Sequence, residues 1–162
     1  MSSGGLGGAL PPAPRRKLPP VTVAAVIERG GKLLFVQEVI DGRLVLNQPA
    51  GHLDPGESLI EACRREVLEE TAHVFEPTGL VGIYRWHYAR KDVTFLRFCF
   101  RGRIGGTEDR PLDPQIRGLH WLTPQELKAR SAEHRSPLVQ KCVDDFLAGR
   151  AFPLEVFSPE YP

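Results

Sequence analysis

Large apolar residues along this chain gather in short runs separated by turn signals, and the spacing inside each run predicts its conformation. "VTVAAVIE", from Val21, is continuously apolar with β-branched residues and reads as a buried strand. Gly30-Gly31 marks a turn, and "KLLFVQEVI" follows as a second strand. Asp41-Gly42 predicts a tight hairpin into a third, "RLVLNQ", which Pro49 ends. A loop over 51–57 leads into a helix from about Ser58 to Thr71. "GLVGIYRWHYA" (79–89) and "TFLRFCFRGRI" (94–104) read as two more strands. In the second, Phe95, Arg97, Cys99 and Arg101 share one face, and Leu96, Phe98 and Phe100 the other. After the polar loop "GGTEDRPLDPQ", "IRGLHWL" predicts a short strand. Two helices then start alike, Thr123-Pro124 and Ser136-Pro137 each placing a capping hydroxyl before a proline; Gly149 ends the last. The order strands, helix, strands, helices predicts an α/β fold, a mixed sheet sandwiched by helices.

Composition narrows this picture. Residues 1–19 are rich in Gly, Pro and Ala, with too few large apolar groups to offset the entropy of ordering, so a disordered N-terminal tail is expected. One folded domain over 20–157 and a C-terminal tail over 158–162 complete the expected organisation. A net charge of +1, with no basic run longer than Arg15-Arg16-Lys17, argues against nucleic acid as a partner. No apolar run approaches the roughly 18 residues of a membrane helix, and the N-terminus lacks the apolar core of a secretion signal. Cys63, Cys99 and Cys142 form no paired or metal-finger spacing and read as reduced, buried thiols. These features together predict a cytoplasmic protein.

"GHLDPGESLIEACRREVLEET", residues 51–71, is where chemistry concentrates. Glu66, Glu69 and Glu70 are spaced i, i+3, i+4 and emerge together near the helix C-terminus. Like charges at this spacing cost roughly 0.2–0.5 kcal/mol per pair, and the helix dipole adds to that at this end. Arg65, four residues before Glu69, cannot neutralise three carboxylates. A hard divalent cation can: Mg²⁺ takes oxygen ligands, commonly one or two carboxylates plus substrate phosphates. Gly51 has no side chain to keep its carbonyl from such an ion. Asp54-Pro55-Gly56 supplies a turn, Ser58 and Glu61 a capping box, and Leu59, Ile60, Cys63 and Val67 an apolar anchoring stripe. The acidic edge then borders that stripe and stays accessible. A merely solvated acidic face is the plain alternative at this point.

Gly51, five residues, Glu57, seven residues, Arg65-Glu66-Val67, one residue, Glu69-Glu70: this arrangement resembles the Nudix box, G-x(5)-E-x(7)-R-E-U-x-E-E-x-G-U, where U is aliphatic. Six of the box's seven fixed polar or glycine positions are matched, which makes the resemblance specific. Two positions depart from it: Ala72 stands where the box has Gly, and His73 where it has an aliphatic residue. The first makes a left-handed helix exit costlier; the second reads as a surface residue after the helix. "VTVAAVI", "NQPAGHL", "FLRF", "RSPLV" and "FPLE" extend the resemblance over roughly residues 18–157, to a bacterial phosphatase branch of the Nudix family.

This resemblance implies the Nudix α/β/α sandwich, with a mixed sheet and a loop-helix-loop catalytic motif. The implied activity is Mg²⁺-dependent hydrolysis of phosphoanhydrides, with Mn²⁺ as a possible substitute. Nucleoside tri- and diphosphates and hydroxymethylpyrimidine pyrophosphate are the implied substrates, with release of orthophosphate. Glu66 and Glu70 would hold Mg²⁺, Glu69 would be a third ligand or orient water, and the Gly51 carbonyl would complete the site. Arg65 would hold Glu69 through an ion pair, and Glu57 would act structurally or electrostatically. Among candidate bases (Glu66, Glu69, Glu108, Asp109 and Asp113) Asp113 is preferred, for its place before the Trp121 strand. Asn47, His52 and Arg97 are candidate substrate contacts. Trp86, His87 and Tyr88 stack on a base or belong to the core. A Nudix pyrophosphohydrolase acting on a nucleoside diphosphate sugar, oxidised nucleotide or dinucleotide stays open. A non-catalytic binding module is disfavoured, because every charged position of the box is intact. Monomer and homodimer both stay open.

Overall fold

A computed structural model describes residues 18–158, so the expected N-terminal tail lies almost wholly outside the described residues, as do 159–162. Seven strands form one sheet: β1 (Val21–Arg29), β2 (Lys32–Ile40), β3 (Arg43–Asn47), β4 (Ala50–His52), β5 (His73–Tyr88), β6 (Val93–Thr107) and β7 (Ile116–Leu122). The main path runs β3-β2-β1-β6-β5, with β4 paired to β1 and β7 to β2. β1 and β6 are parallel, while β1 pairs antiparallel with β2, which makes the sheet mixed. Three helices complete the fold: α1 (Leu59–Thr71), α2 (Pro124–Ala129) and α3 (Leu138–Leu147). None of the described helices is long and apolar enough to cross a membrane.

β1 is apolar throughout because both its faces are covered. Val23, Ala25 and Ile27 pack with Ala62, Cys63 and Val67 of α1 and with Phe100. Ala24 and Val26 point the other way, into a cluster with Leu127 of α2 and Val139, Cys142 and Val143 of α3. The result is the expected α/β/α sandwich. All three cysteines are free and buried, as expected. The hairpin at Asp41-Gly42 has φ of 49° and 75°, the paired positive values of a tight primed turn.

Several boundaries differ from the sequence reading. Residues 51 and 52 are not loop: β4 pairs Thr22 with His52, Val23 with Gly51 and Ala24 with Ala50. The two middle strands are longer than predicted, beginning at His73 and ending at Thr107. Pro77 is tolerated in β5 because the strand lies at the sheet's edge and the register shifts between Pro77 and Gly79. The predicted capping box at Ser58 forms, and the predicted Thr123 cap forms one as well, with Glu126. Ser58 Oγ accepts from the Glu61 N–H at 3.1 Å, and Thr123 Oγ1 accepts from the Glu126 N–H at 3.2 Å. Ser136 Oγ accepts from the Leu138 N–H at 3.3 Å, so α3 starts one residue later than predicted.

α1 ends in a left-handed residue despite lacking the expected glycine. Ala72 adopts φ 58°, ψ 14°, and its N–H donates to the Leu68 carbonyl at 2.9 Å. Its own carbonyl accepts from the Glu108 N–H at 2.8 Å, so the exit is tied to the loop after β6. His73 follows with its ring nitrogen 2.8 Å from the Thr71 carbonyl, away from the acidic cluster. An alanine Cβ in this conformation costs roughly 1–2 kcal/mol, partly returned by the lower backbone entropy of the unfolded chain. A72G is therefore expected to stabilise the protein by about 0.5–1 kcal/mol. Thermal unfolding checks this, with a rise of about 1–4 °C expected.

Candidate active site

The apolar stripe of α1 locks its other edge beside β4. Built on the Gly51 backbone, a Cβ would fall 2.0 Å from the Glu66 carboxyl carbon, so only glycine admits that side chain here. The Ala50 N–H donates to Glu70 Oε2 at 2.9 Å. The stretch read as loop is thus the strand whose backbone receives two of the carboxylates.

Arg65 is shared among the remaining acids. Its Nε and Nη2 donate to Glu57 at 2.5 and 2.9 Å, and Nη2 also to the His52 carbonyl at 3.0 Å. Its Nη1 donates to Glu66 Oε1 at 2.8 Å and Glu69 Oε2 at 3.2 Å. The expected Arg65–Glu69 pair is present, but it is the longest of these contacts, and Glu57 is the main partner. That hydrogen bonding holds the Glu57 carboxyl below its ordinary range and raises the already high pKa of Arg65. Among the described residues, no guanidinium reaches Glu70.

The acidic edge is not the open face that the sequence suggested. Glu66 and Glu70 are 9% and 6% exposed, covered by β4 and the sheet. Burial pushes the Glu66 carboxyl up, opposed by Arg65. Burial, with the charges of Glu38, Glu66 and Asp113 added, pushes Glu70 up to about 9. Asp113 is brought in as well: its N–H donates to the Glu69 carbonyl at 3.0 Å, pinning the loop before β7 to the end of α1. As they stand, no three of the described His, Cys, Asp or Glu side chains close into a ready metal cage. Arg65 draws Glu66 and Glu69 toward itself instead. The donor set nonetheless fits a hard dication: it consists of oxygens alone, and Glu70 is buried with far less cationic compensation than its charge requires.

Gly51, Glu66, Glu69, Glu70 and Asp113 line a cleft of about 390 Å³. Aromatic and cationic groups line it as well. Trp86 stacks on Phe95 at 5.7 Å and on Tyr88 at 5.2 Å. Arg97, Asn47 and His52 all line this cleft, so the three predicted substrate contacts are brought together. His87 is turned aside to Thr94 at 3.1 Å. Sequence reasoning missed Thr22, Glu38, Phe95, Gln115, Arg135 and Ser136, which also line it. Glu38 is 4% exposed; it accepts from Arg135 Nη1 at 2.7 Å and from Asn47 Nδ2 at 3.3 Å. Its signal was present: a lone carboxylate in the apolar run "LLFVQEVI" needs a buried partner.

Two outcomes follow from this geometry. G51A is expected to displace Glu66 and to lower the phosphoanhydride hydrolysis that the sequence resemblance implies roughly 100-fold, measured as kcat/KM alongside a thermal melt showing a folded protein. The second concerns pH. Glu70 keeps its proton up to about 9 when folded, whereas the unfolded group gives it up near 4.5. Between those values the folded state binds more protons, so stability falls as pH rises. Melting curves in EDTA are expected to show this fall between pH 5 and pH 9, and saturating Mg²⁺ to flatten it. Identical profiles with and without Mg²⁺ count against the assignment.

The family model for the NUDIX domain matches residues 17–142. Phosphatase NudJ of Escherichia coli strain K12 is 37% identical over 141 residues, covering 86% of this chain and 91% of that protein. Phosphatase NudJ of Shigella sonnei matches to the same extent. Among solved structures, a NUDIX hydrolase from Nitrosomonas europaea is 49% identical, covers 88% of this chain and 98% of its own, and superposes with a TM-score of 0.86. A MutT NUDIX hydrolase from Burkholderia pseudomallei, at 19% identity and a TM-score of 0.69, shares the fold. The acidic helix, the strand laid against it and these matches agree: the chain belongs to the Nudix family and is a Nudix hydrolase, an enzyme acting on phosphoanhydrides.

Proposed function

We propose that this protein is a Mg²⁺-dependent phosphatase that releases orthophosphate from nucleoside tri- and diphosphates, with hydroxymethylpyrimidine pyrophosphate as a further substrate. Hydrolases of the family generally use a divalent metal such as Mg²⁺. The observation that carries the reading is one cleft lined by two unlike sets of groups. One set is Glu66, Glu69, Glu70 and Asp113; the other is Arg97 with Trp86 and Phe95.

Glu66, Glu69, Glu70 and the Gly51 carbonyl would hold Mg²⁺, with Mn²⁺ as a substitute. When bound, the ion supplies charge neutralisation at the phosphate oxygens and acidifies water. Everything else falls to the chain. Arg65 keeps Glu66 and Glu69 from drifting, through the contacts already described. Asp113, anchored by its backbone to Glu69, takes the proton of the attacking water. Water oxygen bonds to the terminal phosphorus, the bridging P–O bond breaks, and the bridging oxygen leaves with the shortened substrate. Arg97 and His52 bind and orient the substrate from the wall of the cleft, as hydrogen-bond donors.

E66Q and E70Q test this reading. Each is expected to lose about 100-fold or more in kcat, since a metal ligand acts in the transition state. Both variants should melt no lower than the parent without metal, because each replaces a carboxyl whose burial disfavours the charged form with a neutral amide. Malachite-green assay of nucleoside triphosphate hydrolysis, without added pyrophosphatase, reads the product directly. Orthophosphate is expected; pyrophosphate as the sole product contradicts the phosphatase assignment.

A further inference from the structure

Two buried oxygens in the cleft wall lack a hydrogen-bond partner among the described residues: Asn47 Oδ1 and Thr22 Oγ1. Both residues line the cleft and are more than nine-tenths buried, at 3% and 7% exposure. Buried acceptors are almost always satisfied, so two left open at one site point to a ligand that donates. The orientation of the Asn47 amide follows from chemistry. Glu38 Oε1, already paired with Arg135, can only accept, so it takes the Asn47 NH₂ group and turns Oδ1 away from itself. Thr22 lies beside Arg97 in the parallel β1–β6 register, and Phe95 is two residues before Arg97, on the same face. Phe95 in turn sits opposite Trp86 across β5–β6. Among the described residues, Arg97, 8% exposed, has one long hydrogen bond, to Gln48 Oε1 at 3.5 Å, and the Cys142 thiol beside it. Its guanidinium therefore has donors to spare. One small region thus offers a fixed acceptor, a hydroxyl, a spare donor and an aromatic platform.

We propose that Asn47, Thr22 and Arg97 form a subsite that reads the edge of a heteroaromatic ring, one whose N–H donor stands beside an acceptor, with the ring packed against Trp86 and Phe95. The class is a nucleobase or an aminopyrimidine carrying a phosphate chain. Asn47 Oδ1 accepts the ring's N–H, and Arg97 donates to the neighbouring ring nitrogen or carbonyl. Thr22 Oγ1 adds a contact in either sense. Glu38 and Arg135 are positioning residues, since they act by fixing the Asn47 amide. A ring without the N–H leaves Asn47 Oδ1 buried and unpaired, and sites built on a hydrogen bond reject such analogues strongly. This deepens the proposed function, on which it rests, by naming what the wall formed by Asn47, Thr22 and Arg97 selects.

The test is binding, which needs no turnover and so separates this subsite from the phosphatase reading. CMP and zebularine 5′-monophosphate differ only in the exocyclic amino group, and ribose 5-phosphate lacks a base. Calorimetric titration of the full chain with each, in Mg²⁺, is expected to show CMP tighter than the zebularine nucleotide by about 10-fold or more. The N47L variant is expected to bind both equally and no better than the wild type binds the zebularine nucleotide. T22V, which is isosteric, is expected to weaken CMP while keeping the same melting temperature. Equal affinities for CMP and the zebularine nucleotide in the wild type overturn the proposal. So does ribose 5-phosphate binding as tightly as CMP, CMP failing to bind at 10-millimolar level (on the order of 10 mM, where only the weakest contacts remain), or N47L retaining the discrimination. If CMP is discriminated as expected but no nucleoside triphosphate is hydrolysed, the subsite stands and the phosphatase reading fails.

Discussion

One guanidinium joins the turn before α1 to the carboxylates along it. Arg65 takes Glu57 with two of its nitrogens, the His52 carbonyl with one of them, and Glu66 and Glu69 with the third. These contacts tie β4, the turn and the helix into one rigid unit. They also divide the acids into two groups. Glu57, Glu66 and Glu69 share a permanent cation, and Glu70 does not. Glu70 has one backbone N–H and a buried position, and the proposed cation site rests on that imbalance.

The sheet sets where this unit sits. Parallel pairing of β1 with β6 puts Thr22 beside Arg97, while β1 also carries β4 through Val23 and Gly51. One strand therefore positions both the carboxylates beside β4 and the Arg97 wall of the cleft. Gly51 is the point of closest approach: any side chain there meets the Glu66 carboxylate. The glycine of the sequence motif is thus a matter of space for its neighbour, more than of an unusual backbone angle at its own position.

Much of this was legible in the residues. The continuous run at Val21, the Asp41-Gly42 turn and the Ser58–Glu61 capping box each act over a few residues, so local pattern reveals them. The three glutamates were legible because they violate helix electrostatics. Hidden were the features that depend on distant pairing. β4 is three residues long, too short for a periodicity, and it exists because β1 receives it. The burial of Glu66 and Glu70 depends on that same strand. Glu38 and Thr22 sat unremarked in apolar runs, since nothing local tells which cleft a strand face will line. Asn47 was chosen by nearness to the motif, whereas its role follows from the Glu38–Arg135 pair, whose members lie 97 positions apart.

The central claim is that the acidic cluster holds a divalent cation and resists its own charge without one. Titration calorimetry with Mg²⁺ at pH 7.5, repeated in buffers of different ionisation enthalpy, measures both binding and the protons released. With Glu70 pushed up to about 9, binding should expel close to one proton per site, because the ligand must be deprotonated. Saturable binding with that release is the expected result. Binding with no proton release, or no heat on the order of millimolar Mg²⁺ where an oxygen-ligand site of moderate affinity should fill, contradicts it.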